Sequence, residues 1–167
     1  MKKLLGLIIF IFSIPLVSAQ DQLGVISVAG NLNYGTKIES LGVGIRGQYG
    51  FTNNVRGSLE YKYYIDRRNW SAWGISADGH YVFSASDKIS LYPIGGLTLS
   101  RWTFDPGRVD IAGVGMNKYS NTRLGLNLGF GGQISTGDKT YIQIEAKEAL
   151  IKDFTQFVIS VGFMYQF

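Results

Sequence analysis

The sequence predicts an all-β fold, an eight-stranded antiparallel up-and-down transmembrane β-barrel with its apolar face outward. Three observations predict it. Apolar residues alternate with polar or small ones along eight separate stretches, the period-2 pattern of strands with two unlike faces. Tight connections alternate with longer ones, as a meander requires. Aromatic residues gather at the strand ends of the apolar face, on either side of an aliphatic band. That arrangement matches the two girdles of a barrel set in a bilayer.

The first element is a leader. Lys2 and Lys3 form a positive region, Leu4 to Phe12 an apolar core, and Val17-Ser18-Ala19 a small-residue cleavage site. Residues 1–19 read as a secretory signal peptide, too short for a spanning helix. Residues 20–167 then form one barrel domain. Cleavage lowers the formal net charge of +4 by two, to +2, and the charges are spread along the chain, so nucleic acid is not an expected partner. There is no Cys, which excludes a disulfide framework and thiolate metal sites.

The strands are expected at about 22–34, 40–51, 55–66, 72–83, 89–101, 122–134, 140–150 and 156–167. In the second, Leu41, Val43, Ile45, Tyr49 and Phe51 oppose Gly42, Gly44, Arg46, Gln48 and Gly50. In the third, Val55, Leu59, Tyr61, Tyr63 and Ile65 oppose Arg56, Ser58, Glu60, Lys62 and Asp66. The sixth sets Leu124, Leu126, Leu128, Phe130 and Ile134 against Arg123, Gly125, Asn127, Gly129, Gly131 and Gln133. The eighth sets Phe157, Ile159, Val161, Phe163, Tyr165 and Phe167 against Gln156, Ser160, Gly162 and Gln166. Tight turns fall at 52–54, 84–88 and 135–139, longer loops at 35–39, 67–71, 102–121 and 151–155. Tyr49, Phe51, Tyr81, Phe83, Tyr165 and Phe167 belong to the tight-turn girdle; Tyr34, Tyr63, Trp73 and Phe157 belong to the loop-end girdle.

The polar face carries small and charged residues in midstrand, as suits the lumen of an eight-stranded barrel, which side chains fill. A three-residue turn at 52–54 sets Arg46 opposite Glu60. Arg46, Arg56, Glu60, Lys62, Asp66, Asp78, Arg123, Glu145 and Lys147 form the expected lumen network, five basic and four acidic groups. Glu148 falls on the lipid face, which requires a place near the loop end or a bulge.

Ser160-x-Gly162-x-x-Tyr165-x-Phe167 resembles the C-terminal signal of bacterial outer-membrane barrels. Stretches such as LGVGIRGQYGFTNNVRGSLEYKYY and LYPIGGLTLSRW resemble small barrel-only members of the OmpA/OmpX type, and the resemblance covers all eight strands. It implies the outer membrane of a Gram-negative cell as the location, and lipid and lipopolysaccharide as surroundings. It also implies the barrel-assembly machinery as the reader of Gly162, Tyr165 and Phe167. Pairing of the last strand with the first would leave no exposed edge. A monomer without cofactor is expected, with no periplasmic domain beyond Phe167.

Three function classes compete. An enzyme on this fold, which resemblance to small lipid A palmitoyltransferase and deacylase barrels would make a lipid A-modifying one, would need a nucleophile, a base and an orienting group. The single His80 lies inward near the tight-turn end, away from outer-leaflet chemistry, and reads as a structural hydrogen-bonding partner. A narrow pore or small-molecule transport barrel would use the space left by inward Gly42, Gly44, Gly50, Gly96, Gly125, Gly129 and Gly131, space that Arg, Lys and Tyr side chains would otherwise take. A surface interaction barrel would use Arg67, Arg68, Trp70, Arg108, Lys118 and Tyr119 at the loop end, where Arg and Trp suit either a partner interface or lipopolysaccharide phosphates. Asp105-Pro106-Gly107 is a turn signal, and Asp105 with Asp110 is too few for Ca²⁺. There is no phosphate-binding Gly loop, zinc spacing or nucleotide fingerprint. The leading expectation is a structural outer-membrane barrel that displays loops at the surface, for envelope integrity or surface interaction, without catalysis.

Overall fold

In the computed structural model, residues 22–67, 69–104, 119–152 and 154–167 are described. Their strands are β1 (Ile26–Gly35), β2 (Ser40–Gly50), β3 (Val55–Arg67), β4 (Trp70–Tyr81), β5 (Phe83–Ser84), β6 (Ile89–Phe104), β7 (Tyr119–Ser135), β8 (Thr140–Ile151) and β9 (Gln156–Gln166). Every pairing is antiparallel and each strand follows its neighbour, while β1 also pairs β9. The sheet therefore closes on itself. The backbone N–H of Phe167 still donates to Ile26 O at 3.0 Å, so the seam runs to the last residue.

The short β5 continues β4. Both pair with β6 in one register, broken between His80↔Ile94 and Phe83↔Leu91. That register sets Tyr81 opposite Pro93, which has no N–H to give to the ladder. Val82 instead donates to Asn54 O at 2.6 Å. The architecture is thus eight-stranded, as predicted, with the fourth strand interrupted where its neighbour carries proline.

The tight turns are held by their own sequence. Phe51 and Thr52 donate backbone N–H to Val55 O at 2.8 and 3.1 Å, and Thr52 Oγ1 accepts from Val55 N at 2.9 Å. In the β3–β4 turn Asn69 takes φ 66°, the left-handed region that Asn tolerates. Before β1, Gly24 donates to Gly50 O and Gly50 to Val25 O, which brings the buried Gln22 against Gly50 at the tight-turn end. A Cβ on Gly50 would lie 1.6 Å from Gln22 O, so glycine is obligatory there.

Burial alternates along the strands in the reverse of a soluble sense. Leu41, Val43 and Ile45 are 60, 52 and 60% exposed, whereas Arg46 and Glu60 are 1 and 0% exposed. Tyr49 and Phe51 pack edge-on on the outside at 5.2 Å, and Tyr165 and Phe167 likewise at 5.1 Å. Water would oppose such a surface, while hydrocarbon accepts it, and closure satisfies the backbone that hydrocarbon cannot. No helix among the described residues is long and apolar enough to cross a membrane.

The barrel is asymmetric along its rim. β6 and β7 run 16 and 17 residues, against 10 and 11 for β1 and β2. β8 pairs β7 only from Gly125↔Ile151 onward, so residues 119–124 pair with β6 alone. On the β7 side the sheet therefore rises past β8, while β4 accompanies β6 to Trp70↔Phe104. At this end β6 and β7 each extend three residues further than the pattern indicates.

Candidate functional site

The lumen is the first place to look for chemistry, and it is built in three layers. The central layer is ionic. Arg46 on β2 and Glu60 on β3 are cross-strand partners, and Arg46 Nη2 lies 3.2 Å from Glu60 Oε1. The same guanidinium reaches across the lumen to Glu145 on β8: Nη2 donates to Oε2 at 2.7 Å, and Nη1 donates to Oε1. Lys147 Nζ closes the ring, at 3.2 Å from Glu60 Oε2, 3.4 Å from Glu145 Oε2 and 3.0 Å from Asp78 Oδ2. Lys62 Nζ lies 3.5 Å from Glu60 Oε2. Asn31, Asn127 and Tyr92 donate to Glu60, Asp78 and Glu145 at 3.1, 2.8 and 3.1 Å. All these charged groups are buried, and paired charges with saturated carboxylates are the form in which burial is tolerable.

Inward glycines make the room. A Cβ on Gly131 would fall 2.3 Å from the Tyr92 ring, and one on Gly129 would meet Lys147 Cα at 2.8 Å. A Cβ on Gly96 would meet Asp78 at 2.3 Å. The space these glycines leave is occupied by lumen side chains.

Toward the tight turns lies an aromatic and amide layer. Arg56 Nε donates to His80 Nδ1 at 3.1 Å and Arg56 Nη1 to Gln133 Oε1 at 2.7 Å, with the guanidinium 4.6 Å from the Tyr92 ring centroid. His80 stacks on Tyr92 at 4.9 Å, and Ser58 Oγ lies 3.4 Å from His80 Nε2. Ser58 and His80 are near enough to suggest a nucleophile and base, but the orienting group is a cation. With Nδ1 accepting from a guanidinium, the ring proton sits on Nε2, which then has no lone pair for the serine proton. In a hydrolase triad a carboxylate stands where Arg56 does, and the tautomer is the opposite one.

Toward the loops the lumen ends in an apolar layer that sequence reasoning missed. Tyr64, Ala72, Trp102, Ala149 and Ile151 pack together, with Ile38 and Phe154 against them. The Trp102 and Phe154 rings meet at 4.3 Å. Inward parity was the available signal for Tyr64 and Trp102, but apolar residues near a strand end read as rim or loop.

Of the expected lumen charges, Arg46, Arg56, Glu60, Lys62, Asp78, Glu145 and Lys147 lie inside, and two do not. Asp66 is exposed and accepts from Tyr63 Oη at 3.1 Å. The β3–β4 register shifts between Tyr64 and Arg67, and this irregularity breaks the alternation that placed Asp66 inward. Arg123 is exposed because it belongs to the part of β7 that rises beyond β8, where there is no lumen to enter. Glu148 faces outward between Leu128 and Phe157 in an unbroken register, three residues from the loop end of β8.

The loop end carries the second candidate surface. Trp70, Phe104 and Tyr119 are successive cross-strand partners on β4, β6 and β7. Trp70 is 44% and Tyr119 63% exposed, and the Trp70 and Phe104 rings meet at 5.0 Å. Trp70 lies three residues past Trp73 of the girdle, about 10 Å further along a strand. Exposed Arg101, also unforeseen, stands beside Trp73. The side chain of Arg67, together with Arg68, Arg108, Lys118 and the expected leader at residues 1–19, lies outside the described residues. Among the described residues, no cluster of His, Cys, Asp and Glu could hold a metal ion. Gly162 faces inward, where a Cβ would strike Asn31 Oδ1 at 2.0 Å, while Tyr165 and Phe167 face outward.

Comparison with known proteins fits this geometry. A family model described as "Outer membrane protein beta-barrel domain" matches residues 12–167. No curated protein sequence matches. Among solved structures, the N-terminal β-barrel domain of Pseudomonas aeruginosa OprF is similar, with TM-score 0.72 and 15% identity over 89% of this chain and 100% of that one. Neisserial surface protein A has TM-score 0.66 and 15% identity over 86% and 96%. Ail, the attachment invasion locus protein of Yersinia pestis, has TM-score 0.62 and 16% identity over 87% and 99%. At such identities the likeness is one of fold.

Proposed function

This chain belongs to the outer membrane protein beta-barrel domain family, and on that premise we propose that it is a non-catalytic scaffold barrel whose working surface is its loop end. The observation that carries this reading is the contrast between a lumen filled in three successive layers and a loop end where β4, β6 and β7 rise past the end of β8. The aromatic row of Trp70, Phe104 and Tyr119 crosses three strands there, and aromatic residues with arginines are the usual anchors of an interface. Arg67, Arg68, Arg108 and Lys118 belong in sequence to the same end and supply its positive charge. Arg101 and Trp73 suit the lipopolysaccharide phosphates and the interface of the outer leaflet. The chain acts as a monomer, loses residues 1–19 on secretion, and is assembled through the terminal strand with Gly162, Tyr165 and Phe167.

The test replaces residues 103–120 by a short turn. The variant is expected to keep the faster unboiled band of a folded barrel on a heat-modifiability gel and to lose cell-surface adhesion. Loss of outer-membrane integrity, with adhesion unaffected, would assign the hairpin to the envelope instead. Stepwise conductance of the wild-type barrel in planar bilayers would overturn the sealed scaffold and restore the pore.

A further inference from the structure

The lumen charges do not balance. Among the described residues, the buried cations are Arg46, Arg56, Lys62 and Lys147, and the buried carboxylates are Glu60, Asp78 and Glu145. Three of the cations lie within 3.5 Å of a carboxylate. The fourth, Arg56, makes no ion pair: its contacts are His80, Gln133 and the Tyr92 ring, all neutral, and Glu145 acts on it only from beyond salt-bridge distance. Its exposure is 2%. A buried cation without a counter-charge is costly, and native proteins rarely leave one so.

The groups around Arg56 show what is missing. Arg56 Nη2 is buried and has no partner. Gln133 Oε1 is committed as acceptor to Arg56 Nη1, which fixes the amide and turns its Nε2 into a donor beside the guanidinium. That Nε2 has no partner either. Gln143 is the cross-strand neighbour of Gln133, and both ends of its amide are unpartnered at 1% exposure. N–H donors thus gather around the buried cation that, among the described residues, has no ion-pair partner. We propose that this layer binds a small monovalent anion, a halide, held by Arg56 Nη2, Gln133 Nε2 and the Gln143 amide. Water would satisfy the donors and leave the charge. A divalent anion would overshoot a single excess charge. A halide does both tasks and fits among packed side chains. Because Arg56, Gln133 and Gln143 are at most 2% exposed, the ion enters during folding and stays as part of the structure.

The experiment refolds the barrel from urea into detergent in sodium bromide, crystallises it, and collects anomalous data at the bromine edge. A bromine peak within hydrogen-bond distance of Arg56 Nη2 and Gln133 Nε2 is expected. Density for water alone at that place overturns the proposal. Melting of the refolded barrel supports the reading independently. The midpoint is expected to stand about 3–6 °C higher in sodium chloride than in sodium gluconate at equal ionic strength. The difference should vanish in Arg56→Gln. Should that variant fail to fold, Gln143→Leu, which keeps the cation and removes an amide, is expected to shrink it. Equal midpoints in the two salts for the wild type count against the site.

Discussion

The central and the loop-end layers of the lumen are made by the same strands, on the same inward face, by opposite means. In the centre Arg46, Glu60, Glu145 and Lys147 form a ring in which each charge meets two of opposite sign, with Asp78 a third for Lys147 and Lys62 a third for Glu60. At the loop end Tyr64, Trp102 and Ile151 pack by dispersion. The difference teaches that the inside of a small membrane barrel is a core, and need not be polar throughout. Where the wall is surrounded by hydrocarbon, charges are safe only in mutual contact. Where the lumen opens toward water, apolar residues exclude it.

The sharpest way to break the central layer is Glu60→Ala. It strips carboxylate contacts from Arg46, Lys62 and Lys147 at once, and is expected to cost about 3–5 kcal/mol in urea unfolding from detergent or lipid. A wild-type midpoint would mean that water already hydrates the ring. Trp102→Ala attacks the other layer and is expected to cost about 3 kcal/mol. It should leave bilayer conductance at background, because the ionic ring below it still blocks the way; ohmic conductance in this variant alone would make the apolar layer the only seal. A Gly131→Ala change, whose methyl would press on Tyr92, is expected to cost about 1–3 kcal/mol. The Arg46→Ala and Glu60→Ala pair should show a coupling of about 1–2 kcal/mol in a double-mutant cycle. Additive effects there would place the stabilisation of Arg46 in its Glu145 contact. Smallest of all, Arg123→Ala is expected to stay within about 0.5 kcal/mol. A loss as large as that of Glu60→Ala would return Arg123 to the lumen.

The alternating faces of this chain were plain in its sequence because a bilayer imposes period 2 on every strand. Leu41, Val43 and Ile45 have no other reason to alternate with glycine and arginine. The turn at 52–54 also placed Arg46 opposite Glu60 in register, and the strands pair so. What was not legible depends on three-dimensional closure. The closest carboxylate to Arg46 is Glu145, which lies across the lumen, and no local spacing links the two. The exposure of Arg123 depends on β8 ending before β7 does. Asp66 left its expected face because the β3–β4 register slips, and a slip has no signature in the alternation itself. Tyr64 and Trp102 have the correct parity for the lumen, but in the sequence charged, amide and small residues mark the inside, and these two are large aromatics of the kind that also form the girdles.

The seam between β1 and β9 joins segments from opposite ends of the described chain, Ser27 with Gln166 and Gly35 with Val158. Contacts so distant in sequence are formed last, since the entropy of bringing the segments together precedes any reward from their hydrogen bonds. Until that moment β1 and β9 each present a free, half-apolar edge able to recruit another chain. The protein's hazardous interval is therefore its journey before insertion, and a holding chaperone should recognise these two strands in preference to those between them.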